Sequence, residues 1–176
     1  MKKSKRAKRI PDGADLKRFL DVLPGTTLIS AGGARLIVIT ACATGLRVSE
    51  VLGLTPATLR QKLCAWSDAW RRGDEANPKS EASKRLRQIG GFASMLLAYT
   101  ACKPAHEYIF ARPNGAALDD SDLQRDVFRP AAEAVGIYHE GFSMHVFRRL
   151  NVTWRQQAGA TPVEAQKAAG VTLRWI

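Results

Sequence analysis

Aromatic residues make up only 7% of this 176-residue chain, and acidic residues are also scarce, with 16 Asp and Glu against 27 Lys and Arg. Cysteine occurs three times, at Cys42, Cys64 and Cys102, without C-x-x-C spacing, and the three histidines are scattered. A dispersed, odd set of thiols argues against a disulfide frame or a zinc site and predicts buried, reduced cysteines. No metal or cofactor is expected. No apolar run reaches the roughly 18 residues that a membrane-spanning helix needs. The cationic start runs into Ile10-Pro11-Asp12, where a signal peptide would carry a continuous apolar segment. The expectation is a cytoplasmic protein with no membrane partner.

What the chain does have is a globular composition, 45% hydrophobic and 24% charged, over the length of one domain. Its net charge is +11, and six bases (Lys2, Lys3, Lys5, Arg6, Lys8 and Arg9) precede the first acid. Such an arm either solubilises the chain or binds phosphates by displacing their counterions. The basic excess in the rest of the chain favours the second reading and makes nucleic acid the expected partner. The expected organisation is a basic tail over residues 1–11 and one folded domain over 12–176.

Apolar periodicity predicts a mainly helical domain with a small β-hairpin or ribbon. Leu16, Phe19, Leu20 and Leu23 have helical spacing before Pro24-Gly25. Leu36 to Ile39 fit a buried helix or a strand; the alanine-rich flanks and the Thr44-Gly45 stop favour helix. Ser49 is expected to cap a turn carrying Val51, Leu52 and Leu54, and Thr55-Pro56 to start another helix. Residues 62–89, with Trp66 and Trp70 followed by a polar run, suggest the hairpin. Phe92, Met95, Leu96 and Tyr99 return to helical spacing, and Tyr108-Ile109-Phe110 reads as a short strand before Asn114-Gly115. Asp120 or Ser121 is expected to cap a helix that Pro130 kinks or splits before Gly136, two short helices being one way to satisfy the proline. A helix from about Met144 to Ala158, and a capping box at Thr161-Pro162-Val163-Glu164 opening a helix that ends at Gly170, complete the reading.

Two places carry side chains suited to chemistry on anions. His145 and Arg148 stand three apart on the long C-terminal helix and project to one side, with Arg149 next to them. In Thr44-Gly45-Leu46-Arg47-Val48-Ser49-Glu50, a glycine bends the chain, Arg47 emerges from the bend, and Glu50 is placed to hold its guanidinium in a bidentate pair. Taken singly, each fits a plain surface pair or helix corner.

In their order along the chain, these pieces resemble the catalytic domain of the tyrosine recombinases, the phage integrase family, from about Asp12 onward. Ala43 to Leu54 is similar to that family's first arginine box, Lys79 to Arg85 to its lysine-bearing hairpin, and His145-Val146-Phe147-Arg148 to its H-x-x-R box. Gly159 and Gln166 to Gly170 follow in register. The resemblance implies the mixed α/β DNA breaking-and-rejoining fold. It also implies double-stranded DNA and other recombinase protomers as partners, a bacterial or phage nucleoid as location, and strand transfer in site-specific recombination or integration. Arg47 and Arg148 would hold the phosphate whose charge grows during transfer. Lys79, or else Lys84, would protonate the leaving oxygen with help from His145.

The chain departs from the family pattern at two points. Val171 stands where a histidine or tryptophan is usual, and valine donates no hydrogen bond. A nucleophilic tyrosine would fall about nine residues beyond Val171, past Ile176, or at Trp175 if a few residues are deleted. Tyr99, Tyr108 and Tyr138 lie outside the motif and are expected to pack. No stretch resembles the family's N-terminal core-binding domain. The 176 residues alone are therefore expected to bind DNA without cutting it through a tyrosyl intermediate. The alternatives are a non-catalytic nucleic-acid-binding module, in which the same arginines only position the backbone, or a basic helical protein binding RNA or another protein.

Overall fold

The computed structural model describes residues 10–60, 92 and 94–168, the last three of them by backbone alone. The tail bases Lys2 to Arg9, the hairpin with Lys79 and Lys84, Cys64, Gly170 and Val171 lie outside the described residues.

Asp12 opens the first helix, α1 (Gly13–Val22), through a capping box. Its carboxylate accepts the Asp15 N–H at 2.8 Å, and the Asp15 side chain accepts the Asp12 N–H at 3.4 Å. Arg35 closes the other end by donating to the Leu20 and Asp21 carbonyls at 2.8 and 3.2 Å. These are acceptors that a helix end otherwise leaves unpaired.

The ambiguous apolar run is helical. In α2 (Ala31–Thr44), Ser30 accepts the Gly33 N–H at the start, and Gly45, at φ 72°, ends the helix in the left-handed region. Leu36, Ile37, Val38, Ala41 and Cys42 are all buried, so the helix is apolar on most sides because it is enclosed on most sides. A short helix, α3 (Val48–Leu52), follows. Its N-cap is Arg47, which puts Ser49 inside the first turn and corrects the expectation that Ser49 is the cap. Residues 56–60 and 94–100 are helical as the spacing predicts, with Thr55 Oγ1 accepting the Thr58 N–H at the start of the former.

Tyr108-Ile109-Phe110 is not a strand. Ile109 donates to the Leu54 carbonyl at 2.8 Å, and pairing is confined to one antiparallel bridge, Ala111 with Ala117, around the Asn114-Gly115 turn. Ile109 and Phe110 are consecutive and both buried, so the segment is a loop anchored in the core and lacks the in-and-out alternation of a half-buried strand. Among the described residues there is no strand, and the chain is mainly helical.

Asp119, one residue earlier than expected, caps α4 (Asp120–Leu123) by accepting the Ser121 and Asp122 N–H groups. Pro130 does not split the helix. Its missing N–H is absorbed by a π turn over Gln124–Phe128, in which Arg129 donates back to Gln124, and α5 (Arg129–Ala134) continues directly. The last two helices are α6 (His145–Gln157) and α7 (Pro162–Ala168); the second opens with the expected Thr161–Glu164 capping box.

Phe19 from α1, Phe128 from the π turn, Phe142 from the following loop and Phe147 from α6 form a ring cluster, with centroids 5.4 to 6.4 Å apart. All four rings are buried, and they lock α6 into the domain with α2 packed alongside. The three tyrosines only partly meet the packing expectation. Tyr99 stacks on Phe110 and Tyr138 lies against Phe142 under the Arg129 guanidinium, yet all three, Tyr108 included, keep more than a third of their surface exposed. Cys42 is buried as expected, whereas Cys102 is exposed, in a turn beyond the helical residues 94–100.

Candidate anion-binding site

The site begins at the end of α2. Gly45 turns the chain, Thr44 Oγ1 accepts the Leu46 N–H at 3.2 Å, and Arg47 emerges with extended backbone before α3. Three residues on, Glu50 reaches back: its Oε2 accepts the Arg47 backbone N–H at 2.7 Å, while Oε1 lies 3.7 Å from the Arg47 guanidinium. The expected bidentate pair is therefore absent. One carboxylate oxygen is held by backbone, because the capping geometry of so short a helix places it there, and the guanidinium is left 61% exposed.

Arg148 reaches the same carboxylate from the other end of the sequence. It follows Phe147 on α6, and its side chain is only 4% exposed. Its guanidinium stands 3.9 Å from Glu50 Oε2, beyond hydrogen-bonding distance, and Glu50 is its only ion-pair partner among the described residues. Burial pushes the Arg148 pKa below the usual arginine range, the neighbouring Arg47 charge pushes it further down, and Glu50 partly opposes both. It remains a cation, since arginine does not deprotonate in proteins. Its five N–H donors are held in a rigid fork that this single, distant contact does not saturate.

Two guanidinium groups facing one carboxylate leave a net positive charge, with one of the two cations buried and the other exposed. Such a place favours a second, multidentate oxyanion, and a tetrahedral phosphate or phosphodiester matches the forked donors. Among the described residues no group of His, Cys, Asp and Glu is placed to hold a metal. No described helix is long and apolar enough to cross a membrane.

The other expected residues divide. His145 is the first residue of α6, one turn ahead of Arg148, with its side chain exposed. Arg149 is half-buried beside them. Lys79, Lys84, Val171 and the basic tail lie outside the described residues. Sequence reasoning missed Asn151. Buried at 5% exposure, it donates both Nδ2 protons to the last turn of α2, to the Cys42 carbonyl at 2.6 Å and the Ala43 carbonyl at 3.0 Å. Its Oδ1 accepts Arg155 Nε at 2.9 Å. The signal was in the pattern: Phe147, Leu150, Asn151 and Trp154 form one helical stripe, and an amide within an apolar stripe needs buried partners.

The chain was compared with protein-family models, curated proteins and solved structures, and none matches it.

Proposed function

We propose that this domain binds double-stranded DNA in the manner of a tyrosine-recombinase catalytic core, gripping one phosphodiester between Arg47 and Arg148. The observation that carries the reading is their convergence: side chains from opposite halves of the sequence lie 3.7 and 3.9 Å from the two oxygens of Glu50. The recombinase resemblance of Ala43 to Leu54 and of His145 to Arg148 requires such a meeting, and the meeting supports the reading.

In this reading the two guanidinium groups bind the nonbridging oxygens and offset the charge that builds on them. Glu50 keeps the pair from repelling each other while the site is empty. His145, at the exposed start of α6, donates to the phosphate or exchanges a proton with it, and Lys79 or Lys84 protonates the leaving oxygen. Tyr99, Tyr108 and Tyr138 lie outside the recombinase-like motifs, so none of the three is assigned as a nucleophile, and the reading is one of strand binding without a covalent link from these residues.

The experiment is a fluorescence-anisotropy titration of the full chain with a labelled duplex, followed by incubation with nicked duplex under denaturing electrophoresis. Binding that weakens with Arg47→Ala and with Arg148→Ala, and no covalent adduct, is the expected result. Unchanged binding in both variants overturns the phosphate grip, and an adduct overturns the absence of a nucleophile.

A further inference from the structure

The proposed grip needs two arginines from separate helices to be kept in register, and their shared carboxylate is too exposed, at 41%, to fix that register. Surface ion pairs of this kind are weak and screened. The connection between the helices lies one turn below, at Asn151.

Asn151 sits three residues after Arg148 on α6, so the two side chains stack on the same side of the helix. Its amide donates to the carbonyls of Cys42 and Ala43, acceptors of the kind that the end of a helix leaves without internal partners. From Ala43 the chain runs through Thr44, Gly45 and Leu46 to Arg47, and each step of that run is tied. Thr44 Oγ1 donates to the Thr40 carbonyl at 2.6 Å, Gly45 donates to Ala41 at 2.9 Å, and the Leu46 N–H is held by Thr44. A shift of the α2 terminus against α6 therefore moves Arg47 relative to Arg148. Arg155, by donating to Oδ1, holds the amide in the orientation that points Nδ2 at α2.

We propose that Asn151 is a positioning residue for the phosphate site: its side-chain amide sets the place of Arg47 against Arg148 by clamping the end of α2 to α6. The proposal rests on the two-arginine reading above. An apolar residue of similar size would pack in the stripe and leave both carbonyls unpaired, so burial alone does not account for an amide here.

The test uses Asn151→Asp, which keeps the shape and removes both donors, in the full chain with a short fluorescein-labelled DNA duplex. Asn151→Asp should weaken binding about tenfold, the scale of one lost hydrogen bond to a charged group. In that background Arg47→Ala should cost almost nothing further, because Arg47 is already out of place, while Arg148→Ala should keep its full effect. A purely structural role would depress binding and leave both arginine effects intact, and that outcome overturns the proposal, as does unchanged binding by Asn151→Asp. If thermal melting shows that Asn151→Asp is unfolded, the same comparison in Asn151→Ser, which is uncharged but too short to span both carbonyls, decides it. Should neither arginine substitution weaken binding by the otherwise unaltered chain, the phosphate grip itself fails, and this result is distinct from failure of the clamp.

Discussion

Arg148 and Arg47 approach opposite oxygens of one carboxylate, at 3.9 and 3.7 Å, but one guanidinium is buried in the domain and the other stands mostly in solvent. The buried member is costly to the fold. A charge removed from water and met, among the described residues, by one distant partner costs more in desolvation than it recovers in attraction. Such a residue suits a site that awaits an anion, and the first two predictions follow from it.

Replacing Arg148 with methionine should separate binding from stability. Duplex affinity should fall at least tenfold, since one charge-assisted hydrogen bond is worth about 1.5–3 kcal/mol. The urea midpoint should hold or rise, because an apolar chain in place of a poorly paired buried charge is neutral to stabilising by about 1–4 kcal/mol. Lys2→Ala should cost far less affinity at moderate salt, where a tail charge is screened. Equal affinity losses in the two variants would contradict a focused phosphate contact at Arg148.

Glu50→Gln should lower stability at low ionic strength, because it leaves Arg47 and Arg148 facing each other without a counter-charge. Added salt should narrow the difference from the parent chain. Inorganic phosphate should raise the melting temperature of Glu50→Gln more than that of the parent, since it takes the place of the lost charge. Thermal melts across a salt series and a phosphate series check both points, and a deficit unaffected by salt would show that Glu50 acts through its backbone bond alone.

The start of α4 should be acid-sensitive. Hydrogen bonds from the Asp122 and Ser121 backbone N–H groups hold the Asp119 carboxyl below its ordinary value of 3.8. A depressed folded pKa means that the capping contribution is present above the unfolded value and is lost as pH falls through the folded one. The stability gap between the parent chain and Asp119→Ala should therefore be constant from neutral pH down to about 5 and close below 3.8. Urea midpoints measured across that range provide the check.

Burial pushes the Cys42 thiol up to about 12, so at pH 8 it is neutral and enclosed. In the native chain iodoacetamide should label exposed Cys102 and spare Cys42 until denaturant is added. The raised value also favours the folded state only while the unfolded thiol keeps its proton, so this contribution is complete below 9 and declines as pH rises toward 12. Peptide mapping by mass spectrometry reads the labelling pattern, and native-state alkylation of Cys42 would show that the α2–α6 contact opens.

Phe19→Ala should cost about 3–5 kcal/mol, measured by urea unfolding, because Phe19 meets the rings of Phe128, Phe142 and Phe147 in the sealed core.

Helix starts and stops were legible wherever one residue type has one local use. Gly45, and Thr161 with Glu164, each satisfy backbone groups a few positions away, so their roles show in a short window. Reading missed by one or two positions at Ser49 and Asp120, where several adjacent residues can cap and the cap falls on Arg47 and Asp119. It failed outright where context beyond the local window decides the backbone. Ile109 gives its N–H to Leu54 instead of a neighbouring strand, and Pro130 is accommodated by a π turn that no local rule selects. Cys102 was expected to be buried with the other thiols, and its exposure in the turn after residues 94–100 shows only in the fold.

From the order of amino acids alone came the basic balance, the helical character and the two arginine-bearing segments, because charge and periodicity need no partner to be read. Folding decided which arginine is buried, that Glu50 serves both, and that Asn151 ties the helix bearing Arg148 to the helix end before Arg47. Those are distances between segments far apart along the chain, and they are set by the Phe19, Phe128, Phe142 and Phe147 cluster and by which buried carbonyls remain to be paired. No window of neighbouring residues contains that information.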